Sequence, residues 1–507
     1  MLLTEILSSF LGRRISRATH RLTSRRRHHD TLRQARVSKE DRARARATWW
    51  GKDPRWYPGG APPRLHNLVT PLVDGEAYFA ALQEAINGAQ DYIYVVGWCL
   101  TPYLPLVRET EQDLVETRFL TLLSEASKRL PVRLLLWAGA PFFFQPTTHI
   151  MEAVRATFEE QSAGDLECRL DHSAHFSHCH HQKAIVVDGR VAFVGGIDAT
   201  TDSGDRWDTG RHPLRAGRNW HDAAVRIEGE AVADVEHNFR QRWRAVTGDE
   251  IAEKPARAFD PVWKTPVQIV RTIPAGVYRA LPLGEFGIHH IYVQALRRAE
   301  RLIYIENQYL WSPDVVGALI TAMDRPHRGP FRVVIVLPAS ADDGKLDNDK
   351  HVDELLKADS GRGIVSAYSL YTSGPNTGRH AFTYRPIYVH AKVCVIDDEW
   401  FTVGSANLNN RGLVTDSEIN ALVHEPEMAR NLRVALWAEH LWLPREQVAD
   451  ATAHAVADRE WPERAAENER IIQNCEKPLI CAVRRYQPGR EEGAWLFDEA
   501  EAVLVEH

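Results

Sequence analysis

The sequence predicts an α/β protein built as two pseudo-symmetric α/β/α sandwich lobes with one shared site at their interface. Three observations support that expectation. Short apolar strand-like runs alternate with helical stretches. One segment occurs twice, some two hundred residues apart. The chain also has 507 residues, 44% of them hydrophobic, ample for two large cores.

Residues 1–66 read as a basic arm and connector. Positions 1–49 hold 13 Lys/Arg against 4 Asp/Glu, a charge of +9, whereas the whole chain carries -6, so the body is acidic. Leu2, Leu3, Ile6, Leu7, Phe10 and Leu11 recur at helical spacing ahead of Arg13, Arg14 and Arg17. This layout suits an interfacial helix drawn to anionic lipid, and equally a basic tail or a helix docked on its own body. Trp, Pro and Gly crowd positions 49–66, the mark of an irregular connector.

The first lobe is expected over 67–255, with strands at 92–97, 132–137, 184–187 and 191–194 and helices at 75–87 and 231–246. The second is expected over 256–445, and 446–507 reads as a charged, helical and irregular extension. Apolar runs fall short of the roughly 18 residues a membrane-spanning helix needs. In MLLTEILSSFLGRR the charge follows the apolar stretch, unlike a secretory signal, so a cytoplasmic location is expected, with residues 1–48 the candidate for any peripheral membrane contact. Six dispersed cysteines without a CxxC pair read as reduced thiols.

The duplicated segment carries the chemistry. HHQKAIVVDGRVAFVGGID (180–198) and VHAKVCVIDDEWFTVGSAN (389–407) align at an offset of 209, pairing His181 with His390, Lys183 with Lys392, Asp188 with Asp397 and Asp198 with Asn407. Residues two apart share a strand face, so each His and Lys project together. Asp188 and Asp397 lie seven further on, at a turn, which favours a turn or scaffold role over substrate contact. Glycines 195, 196 and 404 leave space for close backbone approach. A lone His-x-Lys means little, but two copies brought together around a pseudo-two-fold axis put two imidazoles and two ammonium groups about one point. Such a pocket suits a phosphate.

These HxKxxxxD segments resemble the duplicated HKD motifs of the phospholipase D superfamily. DRWDTGRHPL, WHDAAVRIEGEAVADVEHNFRQRW, IYIENQYL and VGSANLNNRG followed by DSEI are similar to its plant and animal type, over about residues 68–442. The resemblance implies the superfamily's fold and a metal-independent, cofactor-free mechanism in which His181 is the nucleophile and His390 the general acid; pseudo-symmetry alone does not choose between them. Lys183 and Lys392 are cations for the non-bridging oxygens, with Asn407 as a neutral donor. Each imidazole needs a carboxylate partner. By position relative to the motifs, Asp222 is expected beside His181 and Glu418 beside His390. Asp198 is expected to organise the lysines or water, and Gly196 and Ser405 complete the candidate substrate-binding set. No calcium-binding C2 domain or PX/PH lipid-binding module is expected before position 49, and calcium dependence is not implied.

A histidine-rich run (His172, His175, His178, Cys179, His180) fits no zinc spacing, and the acidic stretch 339–354 lacks an EF-hand register and reads as a solvated loop. Phe142, Phe143 and Phe144, following a strand, either line an acyl-chain entrance or pack in the core; Tyr309 and Trp311 follow the equivalent strand of the second half. The expected activity is hydrolysis of phosphatidylcholine-like glycerophospholipids to phosphatidic acid, with transfer to alcohols as a side reaction. The alternatives are a phosphatidyltransferase of cardiolipin-synthase type and an HKD-family nuclease or nucleic-acid-binding protein. The acidic body disfavours the last, and no nucleic-acid partner is expected.

Overall fold

A computed structural model describes residues 55–489 apart from 141–144, 175–177, 254–258, 261, 340–344, 377 and 379. The expected basic arm, the Phe142–Phe144 triplet and His175 therefore lie outside the described residues.

The first sheet has seven strands: β1 (Asn67–Val73), β2 (Ile93–Gly97), β3 (Val132–Trp137), β4 (Leu166–Asp171), β5 (Ala184–Val187), β6 (Val191–Gly195) and, after β7 (Asn219–His221), β8 (Ala223–Gly229). Their spatial order is β1-β8-β6-β5-β2-β3-β4. The second sheet is built from β9 (Val267–Ile273), β10 (Glu285–Phe286), β11 (Leu302–Glu306), β12 (Arg332–Val336), β13 (Val365–Pro375), β14 (Phe382–Val389), β15 (Val393–Ile396), β16 (Trp400–Gly404), β17 (Glu418–Val423) and β18 (Val483–Arg485). Its central order, β9-β17-β16-β15-β11-β12-β13, repeats the first strand for strand. The two parallel pairs, β2/β3/β4 and β11/β12/β13, are also repeated. The duplication read from the motifs thus extends through both sheets.

Val, Ile, Leu and aromatic residues fill both faces of these strands because both faces are covered. On the first sheet, α1 (Asp74–Asn87), α2 (Phe119–Ser127) and α3 (Thr148–Gln161) take one face, packing on Ile93, Val95, Ile185 and Val187. Helix α4 (Val232–Thr247) takes the other. The second sheet carries α5 (Gly287–Arg298), α6 (Pro313–Asp324) and α7 (Lys345–Asp359) on one side and α8 (Pro426–Leu441) on the other. The inward faces merge: Val186, Val194 and Val225 belong to the same buried cluster as Val395, Val403 and Ala421.

One expectation is corrected here. Residues 345–354 are not a loop but the start of α7, whose Lys, Leu and Glu content favours helix. In the extension after 446, α9 (Trp461–Asn474) buries Trp461 completely, and β18 pairs with β13.

Asp188 and Asp397 stand at the far ends of the β5/β6 and β15/β16 hairpins from the motif histidines, both with positive φ (57° and 58°). Asp188 accepts backbone N–H groups from Gln90 (2.8 Å), Asp91 (2.6 Å) and Tyr92 (3.0 Å). Asp397 accepts from Glu300 (2.8 Å), Arg301 (2.6 Å) and Leu302 (2.8 Å). Of the candidate catalytic residues, these two belong to the scaffold, tying each hairpin to the start of the central strand. Asp188→Ala leaves three N–H groups without their acceptor and is expected to cost about 3 kcal/mol in urea denaturation, while refolded protein keeps its pH profile. Loss of turnover without loss of stability contradicts the scaffold role.

Candidate active site

The HxK segments lead into β5 and β15 at the ends where the two sheets meet, and backbone pairing there crosses between the lobes. Strand β7, from the first half of the chain, pairs in parallel with β14 of the second sheet, setting Trp220 opposite Tyr388 and His221 opposite Val389. The His390 N–H then donates to the His221 carbonyl (2.8 Å). The mirror arrangement is a parallel bridge between His180 and Ser417, with the His181 N–H donating to the Ser417 carbonyl (2.8 Å).

This exchange corrects the expected carboxylate partners. The residue after His221 is Asp222, and its Oδ2 lies 2.6 Å from Nδ1 of His390. The residue after Ser417 is Glu418, whose Oε1 lies 2.9 Å from Nδ1 of His181. Each carboxylate therefore serves the imidazole of the other half. In both pairs Nδ1 faces the carboxylate, which directs Nε2 away from it. The two imidazole rings stand 6.5 Å apart, centroid to centroid, at 65°.

Lys183 Nζ lies 3.1 Å from Asp198 Oδ2 and donates to the His181 carbonyl (2.9 Å). Its ammonium also stands 5.8 Å from the centre of the Trp98 ring. Among the described residues Lys392 donates hydrogen bonds to neutral oxygens only, the His390 carbonyl and Gln308 Oε1 (3.4 Å). Asp198 takes the organising place expected of it, accepting also from the Trp98 N–H (3.2 Å). Asn407 is buried with Oδ1 lacking a hydrogen-bond partner among the described residues.

Gly196 and Ser405, equivalent at the same offset, both act on the carboxylates. Ser405 Oγ donates to Glu418 Oε2. A Cβ at position 196 would lie 2.0 Å from Asp222 Oδ1, so only glycine admits that carboxylate. Both positions thus support the carboxylates.

Sequence reasoning missed Trp98, Arg206 and Tyr388. The Trp220 ring stands 4.9 Å from that of His390, Tyr388 lies 6.3 Å from it, and the Arg206 guanidinium stacks 3.8 Å from the Trp220 ring. A usable signal existed for one of them: Trp98 and Gln308 align at the offset of 210 that relates β2 to β11. Tyr309 and Trp311 stack on each other at 4.2 Å, with the Tyr309 hydroxyl 3.1 Å from Gln308 Nε2. The histidine run is dispersed: His180 faces Asp171 and Ser417, and His178 faces Asp416.

Burial, then Lys183 and Lys392, pushes His181 well below the ordinary histidine value; burial, then Lys392 and Arg206, does the same for His390. Burial raises Glu418 and Asp222 above the usual carboxyl range. It also pushes Lys392 down to about 7, with Asp222 opposing the shift. Burial is the first cause of each shift, so the pocket disfavours the charged form of imidazole, carboxylate and ammonium alike.

Comparison with known proteins agrees with this geometry. A family model described as "Phospholipase D" matches residues 85–219, and one described as "Cardiolipin synthase, PLD-like domain" matches 292–442. The chain belongs to the phospholipase D superfamily. Phospholipase D A of Dictyostelium discoideum is 26% identical over 471 residues, covering 75% of this chain and 36% of that protein. Phospholipase D alpha 1 of Carica papaya is 25% identical over 553 residues, 76% of this chain and 66% of the papaya protein. This superfamily member therefore spans about a third of the first relative and about two thirds of the second. The crystal structure of phosphatidylserine synthase from Haemophilus influenzae Rd KW20 aligns over 87% of this chain and 94% of its own at 14% identity, with a TM-score of 0.48. No helix among the described residues is long and apolar enough to cross a membrane.

Gly196→Ala is expected to displace Asp222 and lower phosphodiester turnover about 100-fold, the scale of an ångström of misplacement, with the thermal midpoint little changed. Unaltered turnover would show that the close approach of Gly196 to Asp222 does not matter.

Proposed function

We propose that the protein is a phospholipase D-type phosphodiesterase that hydrolyses phosphatidylcholine-like glycerophospholipids to phosphatidic acid and free head group. The observation that carries this reading is the facing pair of imidazoles, each with its own carboxylate, flanked by two buried lysines. Uncharged Nε2 of His181 attacks phosphorus, forming a P–N bond as the bond to the head-group oxygen breaks. His390 donates its Nε2 proton to that oxygen. In the second half-reaction His390 takes a proton from water, whose oxygen attacks phosphorus and expels His181. An alcohol in place of water gives the transfer product. Lys183, Lys392 and Asn407 stabilise charge on the non-bridging oxygens.

Anion binding fits the assignment of the acid. Without substrate, burial and cations hold His390 uncharged. A phosphodiester brings one negative charge into that field and favours protonation of His390 and Lys392 together. A second reading, a phosphatidyltransferase whose acceptor is a lipid alcohol, draws support from the cardiolipin-synthase description of the model matching 292–442.

Purified protein is expected to release choline from phosphatidylcholine vesicles and, with ethanol present, to make phosphatidylethanol; His181→Ala and His390→Ala abolish both. Transfer to phosphatidylglycerol without choline release from water attack favours the second reading. Degradation of DNA without lipid turnover refutes both.

The crossed carboxylates give a separate expectation. Asp222→Asn weakens the acid, so in the pre-steady-state release of the leaving group its loss is largest for choline esters and small for p-nitrophenyl esters, whose leaving group needs no proton, while the later water step is slowed for both. Glu418→Gln slows both substrates alike, each variant losing about 100-fold on its worst substrate. The reverse pattern contradicts the pairing.

The pH dependence follows from Lys392. Its folded-state value of about 7 lies below the ordinary lysine value, so the ammonium is present below pH 7 and is lost as pH rises through it. In kcat/KM, which reports the free enzyme, the basic side falls first with loss of the His390 proton, below pH 6.5, and further as Lys392 loses its proton near pH 7; in kcat both steps lie higher, because bound phosphate favours the protonated forms. The acid limb, set by His181, lies below pH 6.5. A kcat/KM that stays level from pH 7 to pH 9 contradicts the role given to Lys392.

A further inference from the structure

Behind Asp222, on the side away from the imidazole pair, four side chains from separate elements converge: Asp74 at the start of α1, His212 between β6 and β7, His221 at the end of β7, and Glu439 on α8. Their donor atoms all lie within 4.8 Å of one another. His221 Nδ1 is 3.0 Å from Asp74 Oδ1 and 3.2 Å from Glu439 Oε1; His212 Nε2 is 3.4 Å from Asp74 Oδ2 and 3.5 Å from Glu439 Oε1. Donors about 2.0–2.1 Å from a tetrahedral zinc ion are about 3.3 Å apart. The four edges bracket that length.

These contacts are imidazole–carboxylate pairs at 3.0–3.5 Å that lack aligned hydrogen-bond geometry. Asp74 Oδ2, His212 Nε2, His221 Nδ1 and Glu439 Oε1 are all buried without a hydrogen-bond partner among the described residues. The side chains of Asp74, His212 and His221 are exposed by 1% or less. Unpartnered polar atoms at that depth are costly.

The outer groups complete the pattern. His221 Nε2 faces Glu306 Oε2 at 2.8 Å, and Glu306 also meets His440 Nε2 (2.8 Å) and the Tyr304 hydroxyl. The far nitrogen of His212, Nδ1, lies 3.4 Å from Asp208 Oδ2. Both imidazoles therefore have a carboxylate behind them, the arrangement that orients metal-binding histidines. Glu439 also borders an open cavity of about 890 Å³ between α1 and α8, which gives an ion a way in.

We propose that Asp74, His212, His221 and Glu439 bind one divalent first-row transition ion of the zinc class. Two imidazoles and two carboxylates suit zinc better than calcium, which takes six to eight oxygen ligands. All four positions are filled by protein, so the ion is structural and touches no substrate. It clasps α1 and β7 of the first half to α8 of the second. Through the His221–Asp222 peptide and the Asp222 N–H bond to Asp74 Oδ1 (3.2 Å), it sets the position of the carboxylate that faces His390.

Full-length protein, stripped with a chelator and dialysed against zinc chloride, is expected to retain one zinc per chain by mass spectrometry and to gain thermal stability. Cobalt in its place gives the intense visible bands of four-coordinate Co²⁺. His181→Ala with His390→Ala keeps the ion, which separates this site from the imidazole pair. His212→Gln and Glu439→Gln each lose it, and Glu306→Gln weakens zinc binding by about 10- to 100-fold. Should the first two variants fail to fold, the cobalt spectrum of the wild type decides. No retained metal, six-coordinate cobalt bands, or zinc held equally by His212→Gln overturns the proposal.

Discussion

Two backbone hydrogen bonds across the lobe interface, from His181 to Ser417 and from His390 to His221, are the constraint on which the site depends. Each binds the residue before a carboxylate to a motif histidine of the opposite half. Everything chemical follows from that register. One step along each strand places Glu418 against His181 and Asp222 against His390. A one-residue slip in either pairing would turn the carboxylate to the opposite face. The hairpins are fixed in turn by Asp188 and Asp397, which anchor their outer ends to the backbone entering β2 and β11.

The strand exchange also explains why the lobes act as one body. β7 belongs to the first half by chain order and to the second sheet by hydrogen bonding. The inward faces of both sheets share one buried cluster, so parting the lobes would expose that core and break both imidazole–carboxylate pairs together. The four-residue cluster behind Asp222 joins the same parts, α1, β7 and α8, at the same seam.

Much of this was legible in the sequence, and for definite reasons. The offset of 209 exposed the duplication because β5–β6 and β15–β16 keep their length, their apolar alternation and their glycines. The turn role of Asp188 was legible from its distance along the strand and the glycine that follows. The carboxylate partners were assigned wrongly because counting along the chain treats each half as self-contained. Nothing local in Trp220-His221-Asp222 announces pairing with a strand some 170 residues away. Trp98 was within reach of the 210 offset, whereas Arg206 matters through the Trp220 ring it stacks on, and side-chain stacking leaves no periodic trace.

A two-fold arrangement cannot by itself give two histidines different tasks, so the difference must come from residues that break the symmetry. Three pairs around the pocket do so: Trp98 against Gln308, Asp198 against Asn407, and Gly196 against Ser405. Their combined effect is electrostatic. Lys183 has a carboxylate 3.1 Å away, whereas among the described residues Lys392 donates hydrogen bonds to neutral oxygens only. Asp222 acts on Lys392 from a distance without a contact ion pair of the kind Lys183 makes, and on the proposed reading a phosphodiester takes that contact position. On the proposed reading, substrate charge acts most strongly on His390, the imidazole that must carry a proton. His181 sits beside a lysine already neutralised by Asp198 and stays free to attack. The asymmetry of three side-chain pairs, laid on a symmetric backbone, is enough to separate nucleophile from acid.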